Sequence, residues 1–263
     1  MIGNKLGTWK NPPLAYVVAE IQISPHYSIE NSIPTIQDRL RDEFPRTVEL
    51  MEFLQQPSLM PTPQKVWQMV AADESRGVQI SSRAISLHAT AYRNSSDFHE
   101  RWSRVLDNIS QSKFHPFVER VGLRYVDLIV PTSNRSTQDY LASELRGIHT
   151  SPELVVNHRL WSLGTTDNGV TILINTASPS PRGGIWPSNL QIFQLLRKPN
   201  IFERAEKAQS DGKSTGFIDV DCSIPAKDRF DILKLKNLYK SLHAKMSVTF
   251  GILISESAKK EWM

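Results

Sequence analysis

Two aspartates, Asp219 and Asp221, alternate with apolar residues in the segment Phe217-Ile218-Asp219-Val220-Asp221-Cys222. On a strand, positions i and i+2 share a face with their side chains about 7 Å apart. With a third oxygen ligand from elsewhere, that pair would hold Mg²⁺ of the kind used in phosphoryl transfer, as in a metal-dependent phosphodiesterase or nuclease. The plainer reading of so short a pattern is a solvated or ion-paired strand face. Phe217, Val220, Cys222 and Ile224 also do not share one phase, which blurs the register.

Arg124 is the second chemically notable residue. It sits in Val121-Gly122-Leu123-Arg124-Tyr125-Val126-Asp127-Leu128-Ile129-Val130, whose two alternating faces are both largely apolar. Such a strand belongs inside a sheet covered on both sides. A cation there needs a partner, because an unpaired buried charge is costly. Either its planar guanidinium clamps a phosphate or carboxylate ligand, or it pairs internally with a carboxylate such as Glu20.

The third candidate is a basic segment. Between Pro225 and Met246 there are six cations against Asp228 and Asp231, which accounts for the whole formal excess of +4. On a helix, Lys236, Lys240 and His243 share a face, apart from the face carrying Ile232, Leu235, Tyr239, Leu242 and Met246. A basic stripe of this kind attracts phosphate backbones or acidic proteins, or is simply a solvated outer face.

Other chemistries lack their residues. Cys222 is the only cysteine, which excludes an internal disulfide and a cysteine-based zinc cluster. No histidine pair has zinc-protease spacing, and no serine lies in a nucleophile elbow. Gly212-Lys213-Ser214-Thr215 imitates the end of a phosphate-binding loop, but Lys207 stands where the leading glycine is required. The dinucleotide glycine fingerprint is absent, and no cofactor is implied. His88 shares a strand face with Ser86, Thr90 and Tyr92, read here as an exposed polar surface.

The elements that position these residues follow from periodicity. Ala15 to Ser24 alternates as a strand. Thr35 to Phe53 reads as helix, with an interruption at Pro45. Gln55 to Lys65, with Pro57, Pro61 and Pro63, reads as loop. Val66 to Ala72 and Gly77 to Tyr92 are strands, and an amphipathic helix carrying Phe98, Trp102, Val105, Leu106 and Ile109 follows Asn94. After Pro131 come a helix-like piece at Gln138 to Arg146, then a hairpin of Val155 to Leu163 and Gly169 to Ala177 turning at Asp167-Asn168-Gly169. Ser178 to Ser188 is the expected mobile loop. The strand at Phe217, the basic helix after Pro225 and a final helix ending at Trp262 complete the chain.

One pattern occurs twice: strand, short break, amphipathic helix, first at Ile85 to Ile109 and again at Phe217 to Met246. It predicts an α+β protein of two related strand–helix halves, 1–131 and 132–263, each a mostly antiparallel sheet packed on helices in a ferredoxin-like duplication. At 263 residues, with 40% apolar and 22% charged residues, the chain is an ordinary globular protein. No apolar run approaches the roughly 20 residues that cross a bilayer, so no membrane partner is expected. The start has no secretion signature, and the cytoplasm is the expected compartment.

Asn11-Pro12-Pro13-Leu14 before a strand, the central Gly122-Leu123-Arg124-Tyr125-Val126-Asp127, the late Ile218-Asp219-Val220-Asp221, and Leu242-His243 before Phe250 occur in one order. In that order the chain resembles a sporadically distributed family of uncharacterised prokaryotic proteins of about 250 residues. The resemblance implies a setting among mobile defence genes and supplies no catalytic residues. The expectation is therefore a non-catalytic binding or regulatory protein with a protein partner, a component of a defence or toxin–antitoxin-like module. Two alternatives stand beside it: an RNA-binding or RNA-processing protein acting through Lys236, Lys240 and His243, and the nuclease centred on Asp219 and Asp221.

Overall fold

The computed structural model describes Trp9 and residues 11–56, 59–112, 114–132, 135–146, 158–166, 168–178, 186, 187, 190, 193 and 195–262. Nine strands pair into one antiparallel sheet. They are β1 (Leu14–Ile23), β2 (Arg46–Gln56), β3 (Leu59–Val70), β4 (Arg76–Ser81), β5 (Ala84–Ala89), β6 (Phe117–Ile129), β7 (His158–Thr165), β8 (Thr171–Ser178) and β9 (Gly216–Arg229). Their spatial order is β2-β3-β4-β5-β1-β6-β9-β8-β7. Five helices pack on it: α1 (Ile33–Leu40), α2 (Ser95–Gln111), α3 (Asn200–Ser210), α4 (Ile232–Leu253) and α5 (Glu256–Trp262).

The α+β class is as expected, but the structure does not show two halves or a ferredoxin-like duplication. The physical reason lies in the centre of the sheet. β6 pairs with β1 on one side and with β9 on the other, from Phe117↔Arg229 to Ile129↔Gly216. The two strand–break–helix passages, β5 into α2 and β9 into α4, then lay their helices side by side on the same face. Trp102 of α2 meets Tyr239 of α4 edge-on, with ring centroids 5.6 Å apart. One continuous core runs beneath both.

That core follows the strand pleat. Val17, Ala19, Ile21 and Ile23 of β1, Val121 and Leu123 of β6, and Ile218, Val220 and Cys222 of β9 lie beneath α1, α2 and α4. β9 therefore alternates cleanly, with Phe217, Asp219, Asp221 and Ser223 on the opposite face. The helices bury matching stripes, as in Phe98, Trp102, Val105, Leu106 and Ile109 of α2. Asn94 caps α2, its side-chain oxygen accepting from the Asp97 N–H at 2.8 Å. Asn94→Ala should cost about 1 kcal/mol, read as a lower melting temperature with an unchanged fold.

The opposite face is covered by α3 and by Trp186, Leu190, Phe193 and Leu196. Here the expectation of an exposed polar surface at His88 is corrected. His88 is buried, with Nδ1 3.0 Å from the Tyr16 hydroxyl and Nε2 2.7 Å from Ser86 Oγ. Tyr16 in turn accepts from the Phe193 N–H at 3.0 Å. Gly77 makes room for this cover: a Cβ there would lie 2.8 Å from the Phe193 ring. Tyr92, beyond the end of β5, leaves this face altogether and reaches the helical side.

Other departures have local causes. The helix expected over Thr35 to Phe53 stops before Pro45, and its second part is β2. Of the loop expected over Gln55 to Lys65, Gln55, Gln56 and Leu59 to Lys65 are strand, while Pro57 lies outside the described residues; Pro63 stands opposite Phe53 in the β2–β3 pair, beyond the reach of β4, whose pairing begins at Val66. A proline is tolerated where one strand edge has no partner. Likewise β9 continues past Pro225 to Arg229 through a register shift opposite Val118 and Arg120. The piece at Gln138 to Arg146 forms two 3-10 turns, Thr137–Tyr140 and Ser143–Leu145. The hairpin is β7–β8. Most of the expected loop from Ser178 to Ser188 lies outside the described residues. No helix among the described residues is long and apolar enough to cross a membrane.

Candidate functional site

The six residues singled out by sequence do not form one site. Arg124, Asp219 and Asp221 lie on the sheet face away from α4. There Arg124 makes a fork-on-fork pair with Asp219, Nε to Oδ1 and Nη2 to Oδ2, both 2.7 Å. Side-chain exposure is 13% for the arginine and 3% for the aspartate. In the β6–β9 register Arg124 stands opposite Asp221 and reaches diagonally to its buried partner Asp219, while Glu20 pairs instead with Arg120 at 3.4 Å. Asn175 adds a donor to Asp219 at 3.3 Å. Burial raises the pKa values of Glu20 and Asp221, against the lowering effect of nearby guanidinium charge.

Asp219 and Asp221 do share a face, as their spacing requires. Both oxygens of Asp219, however, already accept from Arg124. Among the described residues no group of three or more histidine, cysteine, aspartate or glutamate side chains could hold a metal ion.

Of the three α4 residues, Lys236 and His243 turn toward α2. Lys236 Nζ lies 3.1 Å from Asp107 of α2. Lys240 is exposed at the cleft between the two helices, beside His99. His243 points inward: its ring is 5.2 Å from that of His99, edge-on, and 6.1 Å from that of Tyr125. Burial lowers the pKa of His243 and that of His99, the latter to about 4 with help from the neighbouring His243 and Lys240 charges.

His243 leads to a pocket of about 70 Å³ on the helical side of β6. A single water needs about 10–15 Å³ of such volume, so a small organic group fits. Its three walls come from four distant parts of the chain. Trp9, Pro12, Pro13 and Leu14 form a strap along one side; the strap is fixed by hydrogen bonds from the Asn11 N–H to the Trp262 carbonyl and from the Leu128 N–H to the Pro13 carbonyl. Tyr92 and Tyr125 form a second wall, their hydroxyls 3.1 Å apart. Met246, Ser247 and Phe250 of α4 close the third, and Trp9 lies 5.8 Å from Phe250.

Asp127 lies in this pocket at 4% exposure. Among the described residues it has no hydrogen-bond or ion-pair partner. Burial, and secondarily the charge of Asp219, push its carboxyl well above the usual carboxylate range. The tyrosines stay protonated for the same reason, Tyr92 being pushed up to about 12 by burial. Three of the four segments on which the family resemblance rests, Asn11 to Leu14, Gly122 to Asp127 and Leu242-His243 before Phe250, contribute residues here.

No protein-family model matches the chain, and no curated protein matches it at a significant level.

Sequence reasoning picked Arg124 as a charge on an apolar strand face and passed over Asp127, to which the same logic applies. Asp127 shares its face with Val121, Leu123, Tyr125 and Ile129, all apolar or aromatic. Trp9 and Tyr92 carry no sequence signal of their own, since only the fold brings them to β6.

Proposed function

We propose that this is a non-catalytic binding protein, regulatory in role, whose small-molecule site is the pocket enclosed by the strap, β6 and α4. The observation that carries the reading is Asp127, a carboxyl almost fully removed from water with no protein partner. Asp127 lines the pocket, so its carboxyl is open to whatever polar group enters there. The walls are fixed by the sheet, by α4 and by the strap's main-chain hydrogen bonds, which makes a pre-formed pocket. On the family resemblance, its setting would be a prokaryotic defence or toxin–antitoxin-like module.

A chemically diverse fragment set, observed by saturation-transfer NMR, tests the reading. Some fragments should bind the native chain and lose that binding in Ser247→Trp, whose indole fills the pocket from α4. Fragment binding that is the same in both proteins would refute the pocket as the site.

A further inference from the structure

The chemistry of the pocket goes further than the statement that something binds there; this step rests on the pocket being a ligand site. We propose that it receives a methylated ammonium group, held by the rings of Trp9, Tyr92, Tyr125 and Phe250 with Asp127 as counter-charge.

Three observations converge. First, four aromatic side chains line so small a volume that a group within it lies close to several of them. A ring face attracts a cation within about 6 Å of its centroid, by about 0.5–1 kcal/mol when exposed and about 2 when desolvated. Secondly, Asp127 brings into the pocket a carboxyl with no partner among the described residues. Burial keeps it toward its neutral form while the pocket is empty; an adjacent cation favours the carboxylate, whose proton leaves to solvent, whereas a neutral guest has no such effect.

Thirdly, the lining of the pocket is mostly apolar. A primary ammonium carries three donors that must all be met on leaving water. Here the tyrosine hydroxyls engage each other, and Ser247 and His243 are the remaining polar side chains apart from Asp127 and Arg93. A tri- or tetramethylated nitrogen has no such demand and presents an apolar, diffuse charge to the rings. His243, kept toward its neutral form by burial, does not oppose the cation. Arg93, exposed at the edge of the pocket, stands where the rest of the ligand would emerge.

The test compares choline with its neutral carbon isostere, 3,3-dimethylbutan-1-ol, by NMR titration of the full chain. Choline should bind the native protein at least tenfold more tightly, with tetramethylammonium competing for the same site. In Asp127→Asn that preference should vanish while the isostere binds as before and the melting temperature does not fall. Equal affinity of the two probes for the native chain would overturn the ammonium assignment while leaving a small-molecule pocket in place. Fragments that bind in a Ser247→Trp-sensitive way, with no binding of choline or tetramethylammonium, would do the same. Choline binding that survives Ser247→Trp unchanged would remove the pocket itself.

Discussion

Replacing Arg124 by methionine should destabilise the protein by about 3–5 kcal/mol, the range found when one partner of a buried ion pair is removed. The cause is what stays behind. Asp219 is only 3% exposed, and without the guanidinium it keeps one donor, Asn175 at 3.3 Å. The double variant Arg124→Met with Asp219→Leu should recover most of the loss, because two apolar side chains leave no charge stranded. Urea denaturation of the three proteins at pH 7 checks both statements. Equal losses in the single and double variants would mean that the arginine acts through packing alone. Adding Mg²⁺ should not rescue the single variant; rescue would mean that Asp219 and Asp221, freed of the arginine, form a metal site.

The second large effect concerns acid. Burial holds the His88 pKa down at about 3, against 6.5 in the unfolded chain. The unfolded state therefore binds more protons between those values, and the stability linked to His88 is full above pH 6.5 and lost as pH falls toward 3. By pH 4 the loss from this residue is on the order of 3 kcal/mol. His99 and His243, also depressed, act in the same direction. Asp127, Glu20 and Asp221 act against it, because their raised values make the folded state take up protons first. The His88 share is isolated by His88→Gln, which keeps a donor and an acceptor for Tyr16 and Ser86. Its stability, followed by urea denaturation from pH 7 to pH 4, should fall less than that of the native chain. Parallel curves would show that His88 takes up its proton as readily in the fold as in the unfolded chain.

Much of the scaffold was legible in the sequence. The strands now β1 and β9 announced themselves by alternation, β6 by apolar residues on both faces, and α2 and α4 by stripes that reappear in the core almost residue for residue. What could not be read is register over long separation. Nothing in the order of residues says that Arg124 pairs with Asp219 rather than Glu20, since that depends on how β6 slides along both neighbours. The prolines of β3 and β9 misled because their meaning depends on which strand edge is free, a tertiary fact. His88 misled because its cover arrives from residues around Phe193. The pocket was invisible for the same reason: Asp127 was in view as a strand residue, but its setting is made by Trp9, Tyr92 and Phe250, which no local pattern connects.

The stacking of Trp9 on Trp262, with ring centroids 5.9 Å apart, bears on kinetics. The strap and α5 meet across nearly the whole described sequence, so this contact has a high loop-closure cost and belongs among the slow, non-local steps. During synthesis β1 and β6 can pair while α4 is still unmade. The binding wall at Phe250 is then set only after the sheet exists. A guest in the pocket would accordingly do little to hasten folding and would mainly slow unfolding, because it rewards contacts absent from the early barrier. On the proposed function, binding competence would report that the residues through α5 have been made and folded.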